Sequence, residues 1–338
     1  MSLLGYDGFD HYKSASQDMI TRTGGLAWSA PSLVTISSPG RNGYGQSINL
    51  GGVVATANTT DSTCYIGMAL NWPSGGMQFQ LNDQAGQGHL YFGFTGGSIN
   101  INHTNLSGTF LGSAINVIPQ FGTWCYLEIG AFIDPSAGWL IIRVNGQQVF
   151  SFSGRTAGGS GADVIVNQIS LSANNAWIDD FYWCNSVADA GTYPCNTFLG
   201  DVRVFTAFPT GNDVVTWTPL AASNWNEVSE TQMDGDTSYN STATVGTQDT
   251  FVFTALAGTI SRIICVAVTG AYRKDNAGVC TVESIVKSGA STGNGATYAP
   301  SSVGYGYWQD LFKHDPNGTI DWTLTALNAM KAGYKRLS

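Results

Sequence analysis

A chain of 338 residues with 11% charged and 12% aromatic side chains and 42 glycines has the length for two domains that each bury a core. Its abundance of Gly, Asn, Ser and Thr suits short strands and tight turns, not long helices or a disordered polymer. The net charge of −9, with Lys and Arg scattered, argues against a nucleic-acid partner, and no apolar run reaches the roughly 20 residues of a membrane-spanning helix.

Met1 to Gly8 lacks the basic and apolar regions of a signal peptide, so synthesis in a cytoplasm is expected. The six cysteines form no CxxC pair, and free thiols are expected there. Runs of β-branched and aromatic residues bounded by Gly, Asn, Asp and Pro predict strands over 46–50, 64–69, 77–81, 89–95, 98–102, 124–132, 139–145, 147–153, 164–172 and 177–184. Asn145-Gly146 lies between two of them and supplies the positive φ angles of a type I′ turn, so 139–152 reads as a hairpin.

Residues 185–196 carry turn formers without periodicity and read as a connector, with the domain boundary near Asn196. Further strands are expected over 200–208, 249–255, 260–272, 278–287, 305–313 and 333–337, a polar irregular stretch over 209–245, and one short helix within 321–330. No repeat of fixed period appears, which disfavours solenoids and collagen-like shafts. The fold class expected is all-β: two antiparallel β-sandwich, jelly-roll domains in tandem, residues 1–190 and 197–338.

Several segments of the first half stand out: Leu4-Gly-Tyr-Asp-Gly-Phe-Asp-His-Tyr12, Gly40-Arg-Asn-Gly-Tyr-Gly-Gln-Ser-Ile-Asn49, Trp124-Cys-Tyr-Leu-Glu128, Val144-Asn-Gly146 and Ile178-Asp-Asp-Phe-Tyr182. In this pattern the half resembles the concanavalin A-like, laminin-G-type jelly rolls of tailed-phage structural proteins. The second half, marked by Phe198-Leu-Gly-Asp-Val-Arg-Val204, Thr216-Trp-Thr-Pro219, Asp234-Gly-Asp-Thr-Ser-Tyr239 and Asp315-Pro316, is similar to a domain that follows such jelly rolls. The resemblance implies a place in the virion, docking to other virion proteins, possible adhesion to a host-surface glycan, and a homo-oligomer, by analogy a trimer. Tail fibre, receptor-binding spike and polysaccharide depolymerase are the alternatives it leaves open.

Asp7, Asp10, Asp179 and Asp180 sit where an opening and a closing strand would pair, and could hold a structural calcium with hard oxygen ligands. No cofactor beyond that ion is called for. The competing reading has them cap turns or accept backbone N–H groups at the sheet rim. Because neighbours in an extended strand point to opposite sides, Asp179 and Asp180 are expected on opposite faces. Asp234-Gly-Asp236 has a partial calcium-loop look, or else forms an Asx turn.

For catalysis, Glu128 is the only glutamate before Glu227, so the paired carboxylates of glycosidases are missing from the first half. His11, His89, His103 and His314 show no metal spacing, and no hydrolase or nucleotide fingerprint appears. A non-enzymatic protein is expected. Trp72, Tyr91, Phe92, Trp139 and Trp183 are candidates for stacking against sugar rings, although strand alternation cannot say which of them face inward.

Overall fold

The structure, a computed structural model, describes all residues except 1–2, 13–21, 24–25, 30–34, 38, 44, 50, 73–75, 120–121, 160–162, 174, 192–194 and 319–320. Parts of the expected strand 46–50, of the turn at 40–49 and of the connector 185–196 therefore lie outside the described residues. The chain divides into two units: Met1–Ile20, Leu26–Asp189 and Pro194–Phe205 in the first, Thr21–Gly25, Ala190–Tyr193 and Thr206–Ser338 in the second.

Through residue 185 the strands are β1 (Leu3–Asp7), β2 (Arg22–Thr23), β3 (Ala27–Ser29), β4 (Thr35–Ser37), β5 (Ser47–Asn49), β6 (Val53–Thr56), β7 (Thr63–Asn71) and β8 (Met77–Asn82). They continue with β9 (Gly88–Thr95), β10 (Ser98–His103), β11 (Phe110–Ala114), β12 (Cys125–Phe132), β13 (Gly138–Val144), β14 (Gln147–Gly154), β15 (Gln168–Ala173) and β16 (Trp177–Asn185). All but β2 build two antiparallel sheets. Sheet I runs β14-β13-β12-β7-β16-β5-β4 with β1 also on β16, and sheet II runs β11-β10-β9-β8-β15-β6-β3.

Alternation decides the core. Leu127, Ile129, Leu140 and Ile142 of sheet I and Phe79, Leu81, Phe92, Ile99, Ile169 and Leu171 of sheet II point between the sheets and are buried. Asn145 and Gly146 have φ of 49° and 78°, as the hairpin requires. The opening strand pairs with the closing one, Gly5 opposite Trp183 and Asp7 opposite Phe181, so the two ends of the first sandwich meet in one sheet as the sequence suggests.

The second unit carries β17 (Pro209–Val214), β18 (Thr218–Pro219), β19 (Asn240–Ser241), β20 (Gln248–Phe253), β21 (Val266–Tyr272), β22 (Val282–Ser288), β23 (Ser291–Tyr298), β24 (Gly306–Phe312), a short helix α1 (Leu324–Ala329) and β25 (Lys331–Arg336). A five-stranded sheet β17-β20-β25-β22-β23 and a three-stranded sheet β2-β24-β21 close on Val266, Val286, Phe312, Trp322 and Ala332. The helix falls within the expected 321–330, started by Thr323, whose side chain accepts from Ala326 N–H. The chain is thus all-β, its sheets antiparallel except where β2 runs parallel to β24. Among the described residues no helix is long and apolar enough to cross a membrane.

Two expectations need correction. The stretch 209–245, expected to be irregular, carries β17, β18 and β19. Residues 200–208, read as the first strand of the second domain, form no ladder before Pro209, and the stretch up to Phe205 belongs to the first unit. Residues 194–205 belong with the first unit, while 190–193 and 206–338 belong with the second. The reason is polar: buried groups on the outer face of sheet I are satisfied by this segment.

Candidate functional site

The outer face of sheet I is covered by a strap, residues 195–204. Glu128, 1% exposed, accepts from the Tyr182 hydroxyl at 2.6 Å and from Gly200 N–H at 2.8 Å, while Leu199 N–H donates to the Tyr182 oxygen at 3.1 Å. Burial raises the Tyr182 and Tyr126 phenols well above their ordinary range, so both stay protonated donors. Glu128 is held by the strap and the sheet, sealed from any substrate, which removes it as a candidate acid.

Arg41 is the hub of the same face. Its guanidinium donates to Asp180 at 3.2 Å and to Asp201 at 2.6 Å, and its backbone N–H donates to Asp179 at 2.8 Å. Val204 N–H donates to Asp180 at 2.8 Å. Asp179 and Asp180 therefore meet one arginine on one side, contrary to the expectation of opposite faces. The register of β16 on β7 shifts between Asp179 and Tyr182, and Asp180 takes φ 49°, so a β-bulge turns both carboxylates the same way. Burial, and then the neighbouring Asp180, push Asp179 up to about 8.

These aspartates do not fit a calcium ion. Asp7 accepts from Phe9 N–H, the Tyr12 hydroxyl at 2.6 Å and the Trp28 indole at 2.9 Å, and Asp10 accepts from Gln46 N–H at 2.7 Å. Protein donors thus occupy the oxygens that a hard cation would need, and among the described residues no three acidic, His or Cys side chains converge as a metal site. Asp234 accepts from the Ser238 N–H and hydroxyl, and Asp236 pairs with Arg273 at 2.7 Å and Tyr305 at 2.9 Å. That loop is a 3-10 turn over Gly235–Thr237 tied by its own side chains.

The aromatic candidates separate by face. Trp72 packs edge-on to Phe94, and Trp183 is fully buried, both in the core between the sheets, so neither offers a ring to a ligand. Trp139 is half-buried on the outer face of sheet I, beside Tyr65 at 6.0 Å between ring centroids. Tyr65 in turn meets Phe198 edge-on, and Arg143 lies 4.1 Å from the Phe198 centroid. Tyr91 lies on the outer face of sheet II, 6% exposed. Gly93 leaves room for its ring, since a Cβ there would stand 3.3 Å from Tyr91 Cε1. Phe92, its neighbour, points into the core.

Sheet II has a property that sequence reading passed over. Its seven strands contain no Asp, Glu, Lys or Arg. The outward positions form rows of amides and hydroxyls: Ser170, Gln80, Tyr91 and Asn102 opposite one another in one, Ser172, Gln78, Gly93, Asn100 and Ser113 in the next. Many are already oriented: Asn82 Nδ2 donates to Ser170 Oγ, the Ser113 hydroxyl donates to Asn100, and Gln80 Nε2 donates to Thr104 O at 2.6 Å. Beyond the ends of β6, β8 and β15 the face runs into a cavity of about 410 Å³ lined by residues 56–60, Gln84, Asp163, Ile165 and Asn167. The four expected strands that became β8, β9, β10 and β15 already lack charge in the sequence, but that they share one face with β3, β6 and β11 is decided by the fold.

No family model matches the chain, and no curated protein matches it. Among solved structures, similar folds include the galectin LEC-6 of Caenorhabditis elegans, at 16% identity over 38% of this chain and 88% of that one, TM-score 0.30. A carbohydrate binding module CBM66 from Bacillus subtilis is 10% identical over 51% of this chain and 100% of the module, TM-score 0.33. Domain 4 of AbnA, a GH43 extracellular arabinanase from Geobacillus stearothermophilus solved in complex with arabinotriose, is 12% identical over 54% of this chain and 91% of that domain, TM-score 0.36. The strand order of the first unit stands on its own account: it is an all-β sandwich of jelly-roll type.

Proposed function

We propose that the first sandwich is a non-catalytic glycan-binding module, in a structural protein of a tailed-phage virion that docks to other virion proteins and works as a homo-oligomer, by analogy a trimer. The observation that carries the glycan reading is the uncharged outer face of sheet II. Outer faces of solvated sheets ordinarily carry Lys and Glu. A face of Asn, Gln, Ser and Tyr instead presents donors and acceptors at strand spacing without the desolvation penalty of ions, which suits a hydroxyl-rich, uncharged polymer. The virion placement rests on the sequence motifs. Docking would use the opposite side, where Trp139, Tyr65 and Phe198 form a half-exposed aromatic patch beside Arg143.

The test is affinity electrophoresis of the full chain in gels containing host capsule or lipopolysaccharide, with reducing ends assayed in parallel. Retardation without new reducing ends is expected, and Asn100→Ala and Gln78→Ala should each weaken it about fivefold, the worth of one hydrogen bond near 1 kcal/mol. Free migration in every polysaccharide by a folded chain would overturn the glycan reading.

A further inference from the structure

The open cavity at the end of sheet II is framed by hydrogen-bonded groups. Its size lies in the range of small-molecule sites, about 300–1,000 Å³. Asn167 is buried and joins three elements: its N–H donates to Asn82 O, its carbonyl accepts from Ala57 N–H, and its Nδ2 donates to Thr59 O at 2.9 Å. Its Oδ1 is a buried acceptor without a hydrogen-bond partner. Thr59 Oγ1 accepts from Asp61 N–H, Gln84 O accepts from Gln168 Nε2, and Asp163 Oδ1 accepts from Ile165 N–H. The far wall hangs on His89, whose Nε2 contacts Ile165 O at 3.3 Å and whose Nδ1 accepts from Gly158 N–H at 3.1 Å. Groups already held by such hydrogen bonds lose less freedom on binding.

The lining chemistry is narrow: amides from Asn58, Gln84 and Asn167, hydroxyls from Thr56, Thr59 and Thr60, one carboxylate from Asp163, and, among the described residues, no Lys, Arg, His or aromatic ring. We propose that this cavity is a distinct subsite that takes one uncharged monosaccharide unit, the end of a glycan chain, and rejects acidic sugars. This rests on the glycan-binding reading and adds to it a second site, with a chain-end ligand and a charge selectivity. A hexose hydroxyl can both donate to Asp163 or an amide carbonyl and accept from an amide N–H. A uronate or sialate carboxylate would find no cation and would face Asp163. At about 4 Å in water the repulsion is near 1 kcal/mol, roughly fivefold in affinity.

Saturation-transfer NMR of the full chain with D-glucose, D-galactose, D-mannose and N-acetyl-D-glucosamine, against D-glucuronic acid and N-acetylneuraminic acid, tests this. At least one neutral sugar is expected to bind, with the acids about fivefold weaker or silent. Asn58, Gln84 and Asp163 are exposed, so their substitution spares the fold. Asn58→Ala and Gln84→Ala should weaken the neutral sugar several-fold, and Asp163→Asn, which keeps the acceptor for Ile165 N–H, should erase the discrimination against acids. Polymer retardation with no monosaccharide binding would overturn the subsite and leave the sheet face standing. Monosaccharide binding indifferent to all three substitutions would overturn it as well. Monosaccharide binding that these substitutions weaken, in a chain no polymer retards, would support the subsite and sink the face. Silence in both assays would sink both.

Discussion

Arg41 shows how one side chain can hold a face together. It pairs with Asp180 and Asp201 and stands 5.2 Å from the Tyr126 ring centroid. Removing one partner of a buried ion pair leaves an uncompensated charge, so Arg41→Ala is expected to cost about 3–5 kcal/mol in urea unfolding. Arg41→Lys should recover only part of that, because an ammonium cannot fork to two carboxylates. A loss below about 1 kcal/mol for the alanine variant would mean that the aspartates escape to water. Two residues also give the fold opposed pH slopes. Burial lowers His89 below its ordinary 6.5, so the unfolded chain binds the extra proton first, and its contribution, present above 6.5, is lost as pH falls below that value. Asp179, raised from 3.8 to about 8, contributes stability that is full below 3.8 and lost as pH rises through 8. Just below pH 6.5 the two slopes oppose one another, and from 6.5 to 8 only the Asp179 slope operates, so urea midpoints should be nearly level below 6.5 and fall from there to pH 8. His89→Gln should extend that fall below 6.5, and a profile unchanged in that variant would remove His89 from the balance.

Among the elements, the strap 195–204 does the most with the least regular structure. It forms no ladder, yet its backbone N–H groups at Leu199, Gly200 and Val204 end on Tyr182, Glu128 and Asp180. Phe198 lies over Gly130, where a Cβ would come 2.6 Å from the ring, so Gly130→Val should lift the strap and destabilise by about 1–3 kcal/mol. A larger consequence concerns the domain boundary. A fragment ending at residue 205 should unfold cooperatively with native-like stability, whereas one ending at 190 leaves Glu128 and Asp180 without their strap donors and should lose several times the 1–3 kcal/mol that each buried unsatisfied group costs. Equal midpoints for the two fragments would show the strap to be dispensable.

For the whole molecule, each unit has a core of its own, and the fragment 206–338 is expected to fold with its three-stranded sheet reduced to β24 and β21, since β2 comes from residues 22–23. Metal should not matter to stability at the chain ends. With the oxygens of Asp7, Asp10, Asp179 and Asp180 engaged by protein donors, the melting temperature is expected to be the same in chelator and in excess calcium. A rise with calcium that Asp179→Asn abolishes would overturn that assignment.

The β content, the Asn145-Gly146 hairpin and the helix near the end are all written in local signals, because β periodicity, turn chemistry and capping act within a few residues. Which aromatics face out was not legible, since a period of two places Trp139 and Ile141 together but does not say which face is solvent, and Trp72 and Trp183 went inward. The aspartates depart from alternation for a sharper reason: alternation holds only while the strand stays regular, and a bulge at a non-glycine residue, Asp180, leaves no mark in the pattern. The strap was placed in the wrong unit because only tertiary structure reveals which buried groups need partners. Glu128, Arg41 and Asp180 acquire that need when the sheet forms beneath them, and residues 199–204 meet it.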